Sequence, residues 1–154
     1  METTLNQIRA KKPCKKGWAK LLASLGKTSV DDEPLSIITI LESNGLGDAL
    51  WCLQCVQGHD REIRLYAVWC ARQVQHLMTD PRSVAALDVA ERFANGEASG
   101  ADLAVAEAAA LEAPWAVASA ATRVAASAVI RAAARNAQEK RLRELCAECA
   151  EADR

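Results

Sequence analysis

Two pairs of cysteines have the spacing found in metal and redox sites. Two residues separate the members of each pair, and the four thiols belong to Cys52, Cys55, Cys146 and Cys149. Two such pairs can hold a tetrahedral Zn²⁺ through four thiolates. Both pairs lie within helical patterns, however, where cysteine commonly packs as a small apolar residue. We therefore expect buried, reduced thiols without metal or cofactor, and zinc is the less favoured alternative.

No other group of residues forms a catalytic signature. The dipeptide His59-Asp60 is similar to the metal-binding dipeptide of HD-type phosphohydrolases, but His76 is the only other histidine and cannot complete a di-metal site. Asp60 is better explained as the N-cap of a helix. Cys70 and His76 cannot pair as nucleophile and base, because a separation of six residues directs them to different sides of one helix. We expect the protein not to be an enzyme.

A basic segment near the N-terminus is the main candidate for binding. It contains Trp18, and no acidic residue follows it until Asp31. The predicted binding residues are Lys11, Lys12, Lys15, Lys16 and Lys20, joined by Arg61, Arg64 and Arg72 of a central helix. Such a patch could contact phosphates or an acidic protein surface, and the alternative is a solvated face with Trp18 in the core. The other tryptophans, Trp51, Trp69 and Trp115, are expected in the core, and any exposed one is a candidate anchor.

Short helices are predicted for the N-terminal part of the chain, because apolar residues recur there at helical spacing. They cover residues 3–12, 14–25, 35–43 and 46–57, with Gly26 and Gly58 ending the second and the fourth. Residues 36–40 also have strand propensity. A helix is favoured at that position because no partner strand is evident in the sequence.

A central helix pair, residues 60–95, is predicted to organise the core. Its corner is Asp80-Pro81, where the Asp80 carboxylate should accept the amide of Ser83 and proline suits the first helical position. Residues 99–152 predict two long alanine-rich helices, which begin with a Ser99–Asp102 capping box and break near Pro114. Small alanine side chains allow close helix packing, either within the core or between copies of the chain.

The fold class predicted from these elements is all-α. We expect a compact irregular bundle of short N-terminal helices and two long alanine-rich C-terminal helices, with a HEAT-like array as the alternative. A length of 154 residues predicts a single domain, in which residues 1–58, 60–95 and 99–152 form successive parts. The net charge of −1 favours no class of partner. No signal peptide or membrane span is evident, so we expect a cytoplasmic protein.

The stretch from Asp60 to Ala110 resembles an alanine-rich helical family of bacteria and phages whose members are often labelled immunity proteins. The resemblance rests on the corner Leu77–Arg82 and on the segments Ala85–Glu91 and Arg92–Glu97, and it extends over residues 60–137. The stretch Ile38–Leu46 is similar to phage and prophage proteins. The resemblance supplies no catalytic residues, and it implies a mobile-element or defence setting in which small helical proteins block other proteins.

These observations predict a non-enzymatic, protein-binding inhibitor in the cytoplasm of a bacterial cell, encoded by a phage, a mobile element or a competition locus. Its partner would be a toxin or a host defence complex, so immunity-type and anti-CRISPR-like functions both fit. The alternative is a nucleic-acid-binding accessory or regulatory protein that uses the N-terminal lysines. Self-association through the alanine-rich helices is a further expectation.

Overall fold

The computed structural model describes residues 1–78, 80–111 and 128–154, and α-helices dominate them. The helices are α1 Leu5–Ala10, α2 Lys15–Leu25, α3 Ile37–Asn44, α4 Leu46–Cys52, α5 Asp60–Arg72, α6 Pro81–Ala94, α7 Gly100–Leu111 and α8 Ala128–Ala152. Two short strands, β1 (Glu2–Thr3) and β2 (Leu35–Ser36), and 3₁₀ turns at Leu53–Cys55 and Gln75–Leu77 are also present. The predicted all-α fold class is confirmed.

The chain folds as two compact units. Unit 1 contains Met1–His59 together with Leu142–Arg154, and unit 2 contains Asp60–Arg141. The division after His59 matches the predicted boundary between the N-terminal part and the central helix pair. The last turns of α8 belong to unit 1, which the sequence did not indicate. The prediction of a single domain over residues 1–154 stays a prediction.

Among the described residues, the largest fully buried side chains lie in unit 1. They are Leu5, Ile8, Ile37, Ile40 and Leu142. Helix α3 is apolar on nearly all sides, and it is correspondingly deeply buried. The central pair contributes less, because α5 buries Tyr66 and Val68 whereas the described side chains of α6 are only half-buried or exposed. The prediction that the central pair organises the core is therefore wrong.

A two-stranded pairing joins the start of the chain to the start of α3. Glu2 pairs with Ser36 and Thr3 pairs with Leu35 in antiparallel register. Ser36 then caps α3 by accepting the amide of Ile38 at 3.2 Å. The sequence prediction of a helix from residue 35 is wrong for Leu35 and Ser36, because a two-residue partner strand is too short to give an alternating pattern.

Helix α4 is shorter than predicted. It ends at Cys52 instead of Gln57, and a 3₁₀ turn follows it. The backbone carbonyl of Cys55 accepts a hydrogen bond from the buried Thr3 hydroxyl at 3.0 Å, whereas in a continued helix it would accept an amide four residues on. Thr4 caps α1 in a reciprocal capping box with Gln7, so this helix begins at Leu5 instead of residue 3, and it ends at Ala10 instead of residue 12.

Unit 2 is built from helices that pack on their neighbours in sequence, α5 on α6 and α6 on α7. Asp80 caps α6 as predicted, but its carboxylate accepts the amide of Arg82 at 2.8 Å instead of that of Ser83. The Arg82 guanidinium also donates to the Asp80 carboxylate at 2.8 Å, and this contact draws the carboxylate toward Arg82. The predicted Ser99–Asp102 capping box is present, with the Ser99 amide 2.8 Å from the Asp102 carboxylate.

The predicted break near Pro114 lies outside the described residues, so the prediction of two long alanine-rich helices is described only in part. Its described parts are α7 and α8. Across residues 1–78, 80–111 and 128–154, no helix combines the length and the apolar character needed to span a membrane.

The return of α8 to unit 1 can be tested by truncating one side chain. Leu142 is fully buried, so Leu142→Ala should lower the free energy of unfolding by ~2–5 kcal/mol. Val105→Ala is the control, because Val105 is 71% exposed and its truncation should change stability by about 0.5 kcal/mol or less. Urea unfolding measures both. Equal, small effects would mean that the end of α8 is not part of the core.

Candidate functional site

Five lysines give the first 20 residues an unneutralised positive surface. Lys11 and Lys12 lie between α1 and α2, and Lys15, Lys16 and Lys20 lie on α2. All five are exposed. Within the part of the chain that the structure describes, no carboxylate lies at ion-pair distance from any of them, in contrast to Lys27, which is paired with Asp31 and Glu33 at 2.6 Å.

Helix α2 has a defined start and a defined end. The Cys14 thiol accepts the amide of Gly17 at 3.3 Å and caps the first turn. Gly26 ends the helix with φ +63°, a conformation that favours glycine. The predicted end of this helix is confirmed, and it begins at Lys15, one residue later than predicted. Its first turn contains no acidic residue, although acids are favourable at that position.

The three arginines of the prediction belong to unit 2 and are held by its own residues. Arg72 forms ion pairs with Asp88 at 2.7 Å and with Glu91 at 2.8 Å, and these contacts raise the pKa of its guanidinium. Arg61 donates to the Asn95 side chain at 2.8 Å, and Arg64 lies 4.6 Å from the centre of the Phe93 ring. These contacts connect α5 to α6 and to Asn95, the residue that caps the end of α6. A role of the three arginines in partner binding stays a prediction.

An apolar cavity of about 180 Å³ opens beside the lysines, between α2 and α4, and we call it the α2–α4 pocket. Its floor consists of the buried side chains of Ile8, Leu21 and Ile40. Trp18 and Trp51 also line it. The Trp18 ring is half-buried, with the Arg9 guanidinium 5.5 Å from its centre, which is a favourable cation–π distance.

One hydrogen-bond network fixes the polar end of the pocket. The side-chain amide of Asn44 donates to the backbone carbonyl of Gly17 at 2.8 Å and to the Asp48 carboxylate at 2.7 Å. A Cβ atom at position 17 would lie 2.7 Å from an Asp48 oxygen, so this approach requires glycine. Lys20 donates to the Asn44 carbonyl at 3.3 Å, which places a lysine next to the pocket.

Trp51 is the functional candidate that sequence reasoning assigned to the core. Trp51 is 37% exposed, so the prediction that it lies in the core is wrong. The apolar face of the predicted helix contains Leu46, Ala49, Leu50 and Leu53. Trp51 follows Leu50 by one residue and therefore lies outside this face. This position could have identified Trp51 as an exposed residue. Trp69 is half-buried and stacks on Tyr66 with ring centres 6.3 Å apart. Trp115 lies outside the described residues.

The four cysteines of the two pairs are buried, as expected for packed apolar residues. Burial raises the pKa of the Cys52 thiol to about 12, and it also raises the pKa of Cys55 and of Cys146. High pKa values leave these thiols protonated and poorly nucleophilic at neutral pH. Within the described ranges, no group of three or more cysteine, histidine or acidic side chains has an arrangement that could hold a metal ion.

The remaining chemical candidates have ordinary structural contacts. The His59 ring nitrogen lies 3.4 Å from the Asp153 carboxylate, and Asp60 is the first residue of α5. Cys70 is half-buried, and burial raises its pKa as well. The described residues therefore offer an apolar pocket with a positive surface beside it, an arrangement that suits binding.

The raised pKa of Cys52 predicts a loss of stability at alkaline pH. A folded-state pKa above the unfolded value of 9.0 means that the folded protein keeps a proton that the unfolded chain releases. This contribution to stability is complete below pH 9 and is lost as the pH rises toward 12. Urea unfolding across this range should show a steeper decline for the wild type than for Cys52→Ala. Parallel declines would contradict the assignment.

Comparisons with protein-family models, with curated protein sequences and with solved structures find no match to this chain. The resemblance to immunity-labelled proteins of bacteria and phages therefore stays a prediction.

Proposed function

We propose that this chain is a non-enzymatic inhibitor that binds a protein partner through the face formed by Lys11, Lys12, Lys15, Lys16, Lys20 and Trp51. The observation that carries the proposal is the placement of an exposed tryptophan and an apolar pocket beside lysines that no carboxylate of the described residues neutralises. Protein interfaces combine a buried aromatic anchor with a polar rim that sets orientation and association rate.

The setting of this function is proposed from the sequence resemblance. The chain would act in the bacterial cytoplasm as a phage or mobile-element product, where its partner is a toxin or a host defence complex. Immunity-type and anti-CRISPR-like inhibition both involve covering a working surface of another protein. Self-association is a separate proposal, supported by the exposed Val105 on the alanine-rich helix α7.

A nucleic-acid-binding function is the second candidate, because the same five lysines could contact phosphates. Trp51 could also stack on an unpaired base. The Asp48 carboxylate lines the pocket next to Trp51 and would repel a phosphate backbone that enters it. This acidic group favours the protein-binding proposal.

Charge reversal at the start of α2 tests the proposal. Lys15→Glu/Lys16→Glu should fold normally, since acidic residues are favourable in the first turn of a helix. Arg135→Glu/Arg154→Glu is the matched control, because it changes the net charge equally at two exposed residues that are not among the five lysines. Each protein is immobilised and incubated with nuclease-treated bacterial lysate, and the retained proteins are quantified by mass spectrometry.

We expect a partner protein to be retained equally by the wild type and the control, and about tenfold less by the Lys15→Glu/Lys16→Glu variant. A protein retained equally by all three would exclude the lysine face. Binding of purified DNA or RNA that weakens steeply with salt and disappears in the same variant would instead support the nucleic-acid function.

A further inference from the structure

We infer that the α2–α4 pocket receives one aromatic side chain, tyrosine or tryptophan, from an acidic segment of the partner protein. The inference rests on the proposed protein-binding function and specifies the chemistry of its partner. It follows from the volume of the pocket, from the polar groups that line it, and from the charge of the surface beside it.

The volume of the pocket suits a single aromatic side chain. Sites for small-molecule ligands and cofactors usually enclose about 300–1,000 Å³, whereas the α2–α4 pocket has about 180 Å³. A dry apolar cavity of roughly 150 Å³ can hold a benzene ring. Ile8, Leu21 and Ile40 form an apolar floor against which such a ring can pack, and Trp51 offers an aromatic neighbour.

The polar end of the pocket favours a ring that carries a hydrogen-bond donor. One oxygen of Asp48 accepts the Asn44 amide at 2.7 Å. The other carboxylate oxygen has no donor among the residues that the structure describes. A phenol O–H or an indole N–H could satisfy it, whereas phenylalanine has no donor to offer. Tyrosine and tryptophan are also the residues that most often act as interface anchors.

The charge around the pocket specifies the rest of the segment. Residues 3–30 contain seven basic side chains and no acidic one. Pro13 and Cys14 line the pocket between Lys12 and Lys15, and Lys20 donates to the backbone of the pocket residue Asn44. A segment that presents its aromatic side chain here would therefore lie over lysines, so aspartate and glutamate should flank the anchor.

Gly47 allows the pocket to be filled without disturbing the fold. It lines the pocket, and a Cβ atom at this position would meet no other atom within 4 Å. Gly47→Leu adds an apolar side chain at the lining of the pocket, which should hinder entry of the partner ring. Gly47→Ala is the matched control, because it also replaces a helical glycine by a better helix former but leaves the pocket open. Gly17 also lines the pocket, but it is unsuitable for this substitution because a Cβ atom there would collide with Asp48.

The test uses fluorescein-labelled synthetic peptides and fluorescence anisotropy on the full chain. One peptide alternates aspartate and glycine around a central tyrosine. The second has alanine in place of the tyrosine, and the third has serine in place of the aspartates. Circular dichroism and thermal unfolding confirm that the Gly47 variants and Lys15→Glu/Lys16→Glu are folded, and the amide and indole signals of Gly47 and Trp51 in NMR spectra locate the bound peptide.

We expect the acidic tyrosine peptide to bind the wild type and Gly47→Ala alike, and to bind Gly47→Leu at least about tenfold more weakly. Lys15→Glu/Lys16→Glu should also weaken it by about tenfold, and both control peptides should bind the wild type more weakly to a similar degree. Signals of Gly47 and Trp51 should shift in the wild type.

Two results would overturn the inference. One is an acidic tyrosine peptide that does not bind, and the other is equal binding to Gly47→Leu and Gly47→Ala. Equal peptide binding by the two Gly47 variants, together with a lysate partner that depends on Lys15 and Lys16, would leave the proposed function standing without the pocket. A lysate partner retained equally by the Lys15→Glu/Lys16→Glu variant would instead remove the proposed function itself.

Discussion

The side-chain amide of Asn44 is the contact on which the arrangement of the candidate site depends. Asn44 is the last residue of α3, and its two amide hydrogens reach the backbone of α2 at Gly17 and the side chain of α4 at Asp48. Three helices are thereby held at one point. Removal of this group would leave a carbonyl and a carboxylate without their partner and would release the wall of the α2–α4 pocket.

The chain uses its two kinds of cation differently. The arginines of α5 act within unit 2, where Arg72 spans two carboxylates of α6 and Arg64 covers an aromatic ring. A guanidinium suits such roles because its planar group donates in several directions at once. The lysines of α2 and of the segment between α1 and α2 remain solvated. A compact ammonium on a flexible stem keeps its charge available, and it can adjust to a partner surface.

Local signals in the sequence predicted much of the fold. The ends of α2, the cap of α6 at Asp80 and the capping box at Ser99 depend on residues a few positions apart, so they could be recognised directly. The β1–β2 pairing and the Thr3–Cys55 hydrogen bond join residues far apart in the chain, and two-residue strands leave no periodic pattern. The lysines could be identified from composition. The pocket beside them could be recognised only from the positions of four helices relative to one another.

Unit 1 is discontinuous in the chain, and this has a consequence for its folding during synthesis. The late members of its core, Leu142, Leu145, Cys146 and Cys149, complete a core whose other members are made before residue 60. At a translation rate of about 5–20 residues per second, the 82 residues of unit 2 separate the two parts by roughly 4–16 s. During that interval the apolar side chains of α1 and α3 lack the last side chains that pack against them in the core. Nascent chains at this stage would expose apolar surface to chaperones until the end of α8 emerges from the ribosome.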